Sequence, residues 1–151
     1  MSGSAIALVL VALNVDRMRA VVLVRELNGA AERRIQYASA MGGARTEALH
    51  VAIDEEGLSA LRRSWRQSRV PVSLTVVAPS GRGIVAPVLD YVEDLRRTVP
   101  EEIVAVVLPE FWGWWNRLVR GWHTRRLATR LSALDGVAIV FVPSPKEGPA
   151  A

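Results

Sequence analysis

Residues 103–115, IVAVVLPEFWGWW, decide how this chain is read. Ile103 to Leu108 form an unbroken apolar run, Pro109-Glu110-Phe111 stops it, and tryptophans follow at 112, 114 and 115. A strand without polar alternation is one buried on both faces, as in a parallel sheet covered by helices. In open parallel sheets, ligands bind in the crevice beyond the carboxyl ends of the strands. The aromatic stretch therefore stands where a site would be. It places indole rings where a phosphate would want glycines.

The pattern repeats on either side of this strand. Residues 20–25 (AVVLVR), 48–53 (ALHVAI), 72–77 (VSLTVV) and 137–142 (VAIVFV) read as further strands. Between them, 29–41, 58–67 and 84–97 carry apolar residues at helical spacing, and a further helical stretch is expected over about 114–134, with Gly121 as a candidate break. Asn28 is placed to cap the first helix and Gly42-Gly43 to end it. Strands alternating with helices of this length predict right-handed βαβ units. The fold class is α/β, a three-layer doubly wound sheet of five parallel strands.

Composition supports a single domain. The chain has 151 residues, half of them hydrophobic, enough to bury a core. The formal net charge is +4 and the only lysine is Lys146, so nearly all the basic charge is arginine. That balance permits anionic partners. Cysteine is absent, which excludes disulfides and thiol chemistry and fits a reducing compartment. The expected organisation is a leader over 1–17, the α/β domain over 18–143 and a flexible tail over 144–151. The leader's apolar run from Ala5 to Leu13 falls far below the ~20 residues that span a bilayer. It reads as an extra strand or short helix, or as the stump of a longer membrane helix.

VVLVREL at 21–27, AERRIQYASAM at 31–41, ALHVAIDEE at 48–56, RGIVAPVLDYVEDL at 82–95 and VVLPEFWGWWNRLV at 106–119 carry a family resemblance. They are similar, in the same order, to the universal stress protein-like cytoplasmic domain of bacterial permeases in the amino-acid/polyamine/organocation superfamily, which includes proton-coupled potassium importers. The resemblance spans roughly 18–143. It implies a Rossmann-type sheet with strand order 3-2-1-4-5, a homodimer formed through the edge around the fifth strand, and a cytoplasmic location beside a membrane transporter. Some potassium importers with this domain respond to cyclic di-AMP, so the resemblance also implies a purine dinucleotide as a candidate ligand.

The departures are as informative. ATP-binding stress proteins carry G-x2-G-x9-G-[ST] after the fourth strand, where glycines bring backbone N–H groups to the phosphates. Here Gly113 and Gly121 have the wrong spacing, and Trp122 stands where Ser or Thr belongs. ATP binding by the usual mode is rejected. Arg25-Glu26 replaces the Asp that stress proteins typically present after the first strand. Arg120-Gly121-Trp122-His123-Thr124 replaces the polar run that follows the double tryptophan in the permease domains.

No catalytic constellation appears, so the chain is expected not to be an enzyme and to need no cofactor or metal. His50 and His123 are far apart and lack metal-ligand spacing; His50 reads as a satisfied core histidine. Asp54-Glu55-Glu56 read as a helix start favoured by the helix dipole, and Ser80-Gly81 lacks a nucleophile-elbow pattern. Pro79 to Gly83 reads either as a plain strand-to-helix turn or as an anion site in which Arg82 adds charge-assisted bonds. Trp112, Trp114, Trp115 and Trp122 read as core or dimer packing, or as a wall that sandwiches a purine with the arginines from 117 to 130. Arg62, Arg63, Arg66 and Arg69 around Trp65 read as a solvated amphipathic helix, or more sharply as a membrane-surface contact.

The reading is a regulatory, ligand-sensing domain whose candidate ligand contacts are Arg82, Gly83, Trp115, Arg120 and Arg125. The alternative is a structural protein–protein module for a membrane transporter, with no small ligand. Specific nucleic-acid binding is not expected, because the arginines are scattered and no recognised motif is present.

Overall fold

A computed structural model describes residues 17–81, 83–109 and 122–142, with the side chains of 122–125 excepted. In chain order the elements are β1 (Met18–Leu23), α1 (Gly29–Gly42), β2 (Thr46–Val51), α2 (Glu55–Gln67), β3 (Ser73–Val77), α3 (Val85–Thr98), β4 (Ile103–Pro109), α4 (Trp122–Ser132) and β5 (Val137–Val142). The five strands form one parallel sheet in the order β3-β2-β1-β4-β5. This is the predicted doubly wound α/β sheet. Its order reverses between β1 and β4, which opens a crevice at their carboxyl ends.

The sheet is covered on both faces. On one, Val21, Leu23, Leu49, Val104, Val106 and Leu108 pack against Val88 and Val92 of α3 and Leu127 and Leu131 of α4. On the other, Ala20, Val22, Ala48 and Val107 meet Ala31, Ile35 and Ala38 of α1 and Leu61 of α2. Successive residues of β4 alternate between these cores, and every residue from Val104 to Leu108 is fully buried. The unbroken apolar run at 103–108 has this cause, since neither face of the strand meets water. Burying each large aliphatic side chain is worth about 1.5–3 kcal/mol.

Local chemistry sets the helix starts. Asn28 Oδ1 accepts the Ala31 N–H at 2.8 Å, and Asp54 accepts that of Gly57, so each caps a helix. Pro87 sits in the first turn of α3, where an N–H would have no helical partner anyway. The structure corrects two strand boundaries. The pattern predicts 20–25 and 48–53; the ladders hold Met18–Leu23 and Thr46–Val51. Polar Arg19 and Glu47 belong to the strands because their side chains find partners, whereas Ile53 has left the ladder and is exposed. The helix predicted from Leu58 begins three residues earlier, at Glu55, as its Asp54 cap requires.

At the amino ends of the strands lies an ionic knot. Buried Glu102 pairs with Arg19 at 2.8 Å and Arg45 at 3.4 Å. Arg96 of α3 donates to the carbonyls of Asp135 at 2.9 Å, Pro100 at 3.1 Å and Glu102. These bonds tie the entries of β1, β2, β4 and β5 together. The charge at this end is structural.

Candidate functional site

The opposite, carboxyl end of the sheet is where the topology places a site. The segment 24–28 leaves β1, 52–54 leaves β2 and 78–84 leaves β3. Asn28 uses both ends of its amide, donating from Nδ2 to Glu26 Oε1 at 3.0 Å while capping α1. His50 Nδ1 lies 3.0 Å from the Val24 carbonyl, and its ring is buried, so it ties the end of β2 to β1. This is the satisfied core histidine expected from its place in a strand.

The turn after β3 has a different character. Ser80 and Gly83 form an isolated antiparallel bridge, with Gly83 N donating to Ser80 O at 3.3 Å. Gly81 between them has φ 61°, a left-handed conformation that glycine adopts without a steric cost. Among the described residues, a Cβ at Gly83 would meet nothing within 4 Å beyond its chain neighbours. Among the described residues, no side chain caps α3, which begins two residues later. Its first N–H groups therefore lack the side-chain acceptors that Asn28 and Asp54 give α1 and α2.

Of the five ligand contacts expected from the sequence, Gly83 stands in this turn. Arg125 stands in the first described turn of α4, although its side chain lies outside the described residues. Helices α3 and α4 pack side by side on the same face of the sheet. Both enter from its carboxyl end, so the topology brings Gly83 and Arg125 to one end of one face. Arg82, Trp115 and Arg120 lie outside the described residues, as does the rest of the aromatic stretch beyond Pro109.

Two polar features escaped the sequence reading. Arg34 of α1 is only 7% exposed, its Nε has no hydrogen-bond partner among the described residues, and burial lowers its pKa. Glu47 of β2 accepts from Tyr91 of α3 at 2.7 Å and from Thr75 of β3 at 3.1 Å. Burial first, then the hydrogen bond to Glu47, push the Tyr91 phenol up to about 12. An acidic residue inside an otherwise apolar strand was the available signal for this cluster. Among the described residues, no group of three or more His, Asp and Glu side chains is placed to hold a metal ion.

The two edges complete the geometry. β5 pairs only with β4 among the described residues, and its sequence VAIVFV carries no charge and no proline. Val137 to Val140 are half-buried and Phe141 is 42% exposed. β3 closes the other side. No helix among the described residues is long and apolar enough to cross a membrane.

No curated protein matches the chain. The family described as the KimA potassium transporter C-terminal domain matches residues 15–144, nearly the whole length. The match takes in all five strands and the turn that carries Gly83. The chain belongs to the family of KimA potassium transporter C-terminal domains.

Proposed function

We propose that this domain is a non-enzymatic regulator of a potassium transporter, working as a cytoplasmic homodimer that senses a purine dinucleotide such as cyclic di-AMP. The observation that carries the reading is the β5 edge. An apolar, half-exposed strand with no charge or proline to block pairing is a template for another strand. A second copy of the same edge across a twofold axis covers it in the simplest way. The resemblance to stress protein-like domains, which commonly pair there, supports the same geometry.

The ligand would lie at the carboxyl end, with Gly83 offering backbone at the uncapped start of α3 and Arg82, Arg120 and Arg125 offering charge. Trp115 would stack on a purine. Such a site binds and orders the loops, and so biases the transporter through differential affinity for its two states.

Calorimetry with cyclic di-AMP, ATP and AMP tests the ligand, and sedimentation tests the dimer. The reading expects heat from cyclic di-AMP and a two-chain species that Phe141→Lys splits, because a charge at this edge blocks strand pairing. No heat from any of the three nucleotides sinks the sensor. A monomer at every concentration sinks the dimer.

A further inference from the structure

The other edge of the sheet carries an independent feature. Along the α2 side of β3 runs a groove of about 1010 Å³. Val70, Val72, Leu74 and Val76 form its apolar floor, and Arg62 and Arg66 of α2 line it from the helix. The Trp65 indole donates to the Val72 carbonyl at 3.0 Å, fixing the last turn of α2 to the segment that enters β3. Both arginines are exposed, and no carboxylate of the described residues pairs with them.

We infer that this groove binds an extended acidic peptide segment that adds as a strand to the outer edge of β3, with its carboxylates on Arg62 and Arg66. Three observations converge on this occupant. First, β3 pairs only with β2 among the described residues, so its outward N–H and C=O groups are available to a strand. An acyl chain lying on the same floor would strip water from those groups and give nothing back, which is costly.

Second, the spacing fits. Alternate residues of a strand lie about 7 Å apart on one face, and helix residues four apart rise by about 6 Å. Carboxylates at alternate peptide positions thus match the separation of Arg62 and Arg66. Third, glutamate suits both surfaces, since its methylenes lie along Leu74 and Val76 while its carboxylate takes a charge-assisted bond from a guanidinium. The inference does not depend on the β5 dimer or on a nucleotide.

The test uses the full 151-residue chain and a fluorescein-labelled, end-blocked octapeptide of alternating Glu and Val, read by anisotropy. Binding is expected. It should weaken about tenfold or more in an Arg62→Glu, Arg66→Glu double variant, as expected when charge-assisted pairs are reversed. That variant should melt with the parent, because both side chains are exposed. The Lys-Val counterpart should not bind, and neither should a Glu-Val peptide N-methylated at alternate residues, which keeps its charge but cannot pair with β3. Equal binding of the N-methylated peptide overturns strand addition, and failure of the Glu-Val peptide to bind overturns the proposal. Retention of the chain by phosphatidylglycerol vesicles without peptide binding also overturns it, in favour of a lipid surface.

Discussion

β5 and β3 both close the sheet, but they are anchored in different ways. VAIVFV of β5 has no polar side chain, so the hydrogen bonds that hold the strand to β4 come from its backbone. Its position is set through backbone, with Val104 N donating to Gly136 O at 3.0 Å and Arg96 donating to Asp135 O. SLTVV of β3 carries two hydroxyls, and Thr75 is bonded to Glu47, which Tyr91 of α3 also holds. Where the anchor is backbone, the side chains of the edge stay apolar and remain complementary to a like surface. An anchor made by side chains adds charge and hydroxyls nearby, and such an edge suits a partner of unlike chemistry.

The largest effect is expected from breaking the backbone anchor. Gly136 has φ 74°, and a Cβ there would run into the Arg96 guanidinium. Gly136→Val combines a left-handed backbone, costing roughly 1–2 kcal/mol, with displacement of Arg96 from its carbonyls. Each lost hydrogen bond adds about 1 kcal/mol. Denaturant unfolding should show a loss of about 3 kcal/mol in total. A loss below about 0.5 kcal/mol, the ordinary range for a surface change, would mean that the Arg96 clamp does not hold β5.

Breaking the side-chain anchor should cost less. Glu47→Ala frees the Tyr91 and Thr75 hydroxyls, and Tyr91 and β3 are half-buried, so water replaces part of what is lost. About 1–2 kcal/mol is expected. A double-mutant cycle with Tyr91→Phe should return a coupling of at least about 0.5 kcal/mol. A coupling near zero would show the carboxylate and phenol to be neighbours without being partners. It would also remove the contrast between the two edges.

This contrast marks how far the sequence could be read. The alternation of apolar runs and helical spacings revealed five strands and their α/β arrangement, because burial on both faces leaves no room for polar residues in Val104 to Leu108. Asn28 was legible as a helix cap because capping is local chemistry, whereas the apolar spacing alone placed the next helix at Leu58 and missed the Asp54 cap. The anchors were not legible, because each joins residues far apart in the chain. Glu47 meets Tyr91 across 44 residues, and Arg19 meets Glu102 across 83. The apolar pattern starts these strands at Ala20 and Ala48, two residues late, because it does not reach polar Arg19 and Glu47, which stand in the ladders. At the carboxyl end, Gly83 was legible from its turn, while the bearing of Arg125 on it follows from the packing of α3 beside α4. The groove beneath Arg62 and Arg66 has no sequence signal of its own. On a helical wheel these arginines look merely solvated, and the neighbouring strand makes the difference.

The smallest effect expected is also the most specific to the β3 anchor. The Tyr91 phenol is pushed up to about 12 in the fold, from an ordinary value of 10.0. The folded protein therefore favours the protonated phenol. Below about pH 10 the phenol is protonated in folded and unfolded chains alike, and the stabilisation is fully present. Between about pH 10 and 12 the unfolded chain gives up the proton first, so stability falls as pH rises, and the contribution is gone once the folded phenol also ionises. Wild-type protein should unfold at higher denaturant than Tyr91→Phe at pH 9, with the gap shrinking steadily towards pH 12. Other groups that titrate in this range are common to both proteins and cancel in the difference. A gap that stays constant across the range would show that the phenol is not held by the Glu47 carboxylate. The β3 edge would then be held by its ladder with β2 and the Thr75–Glu47 bond, without help from α3.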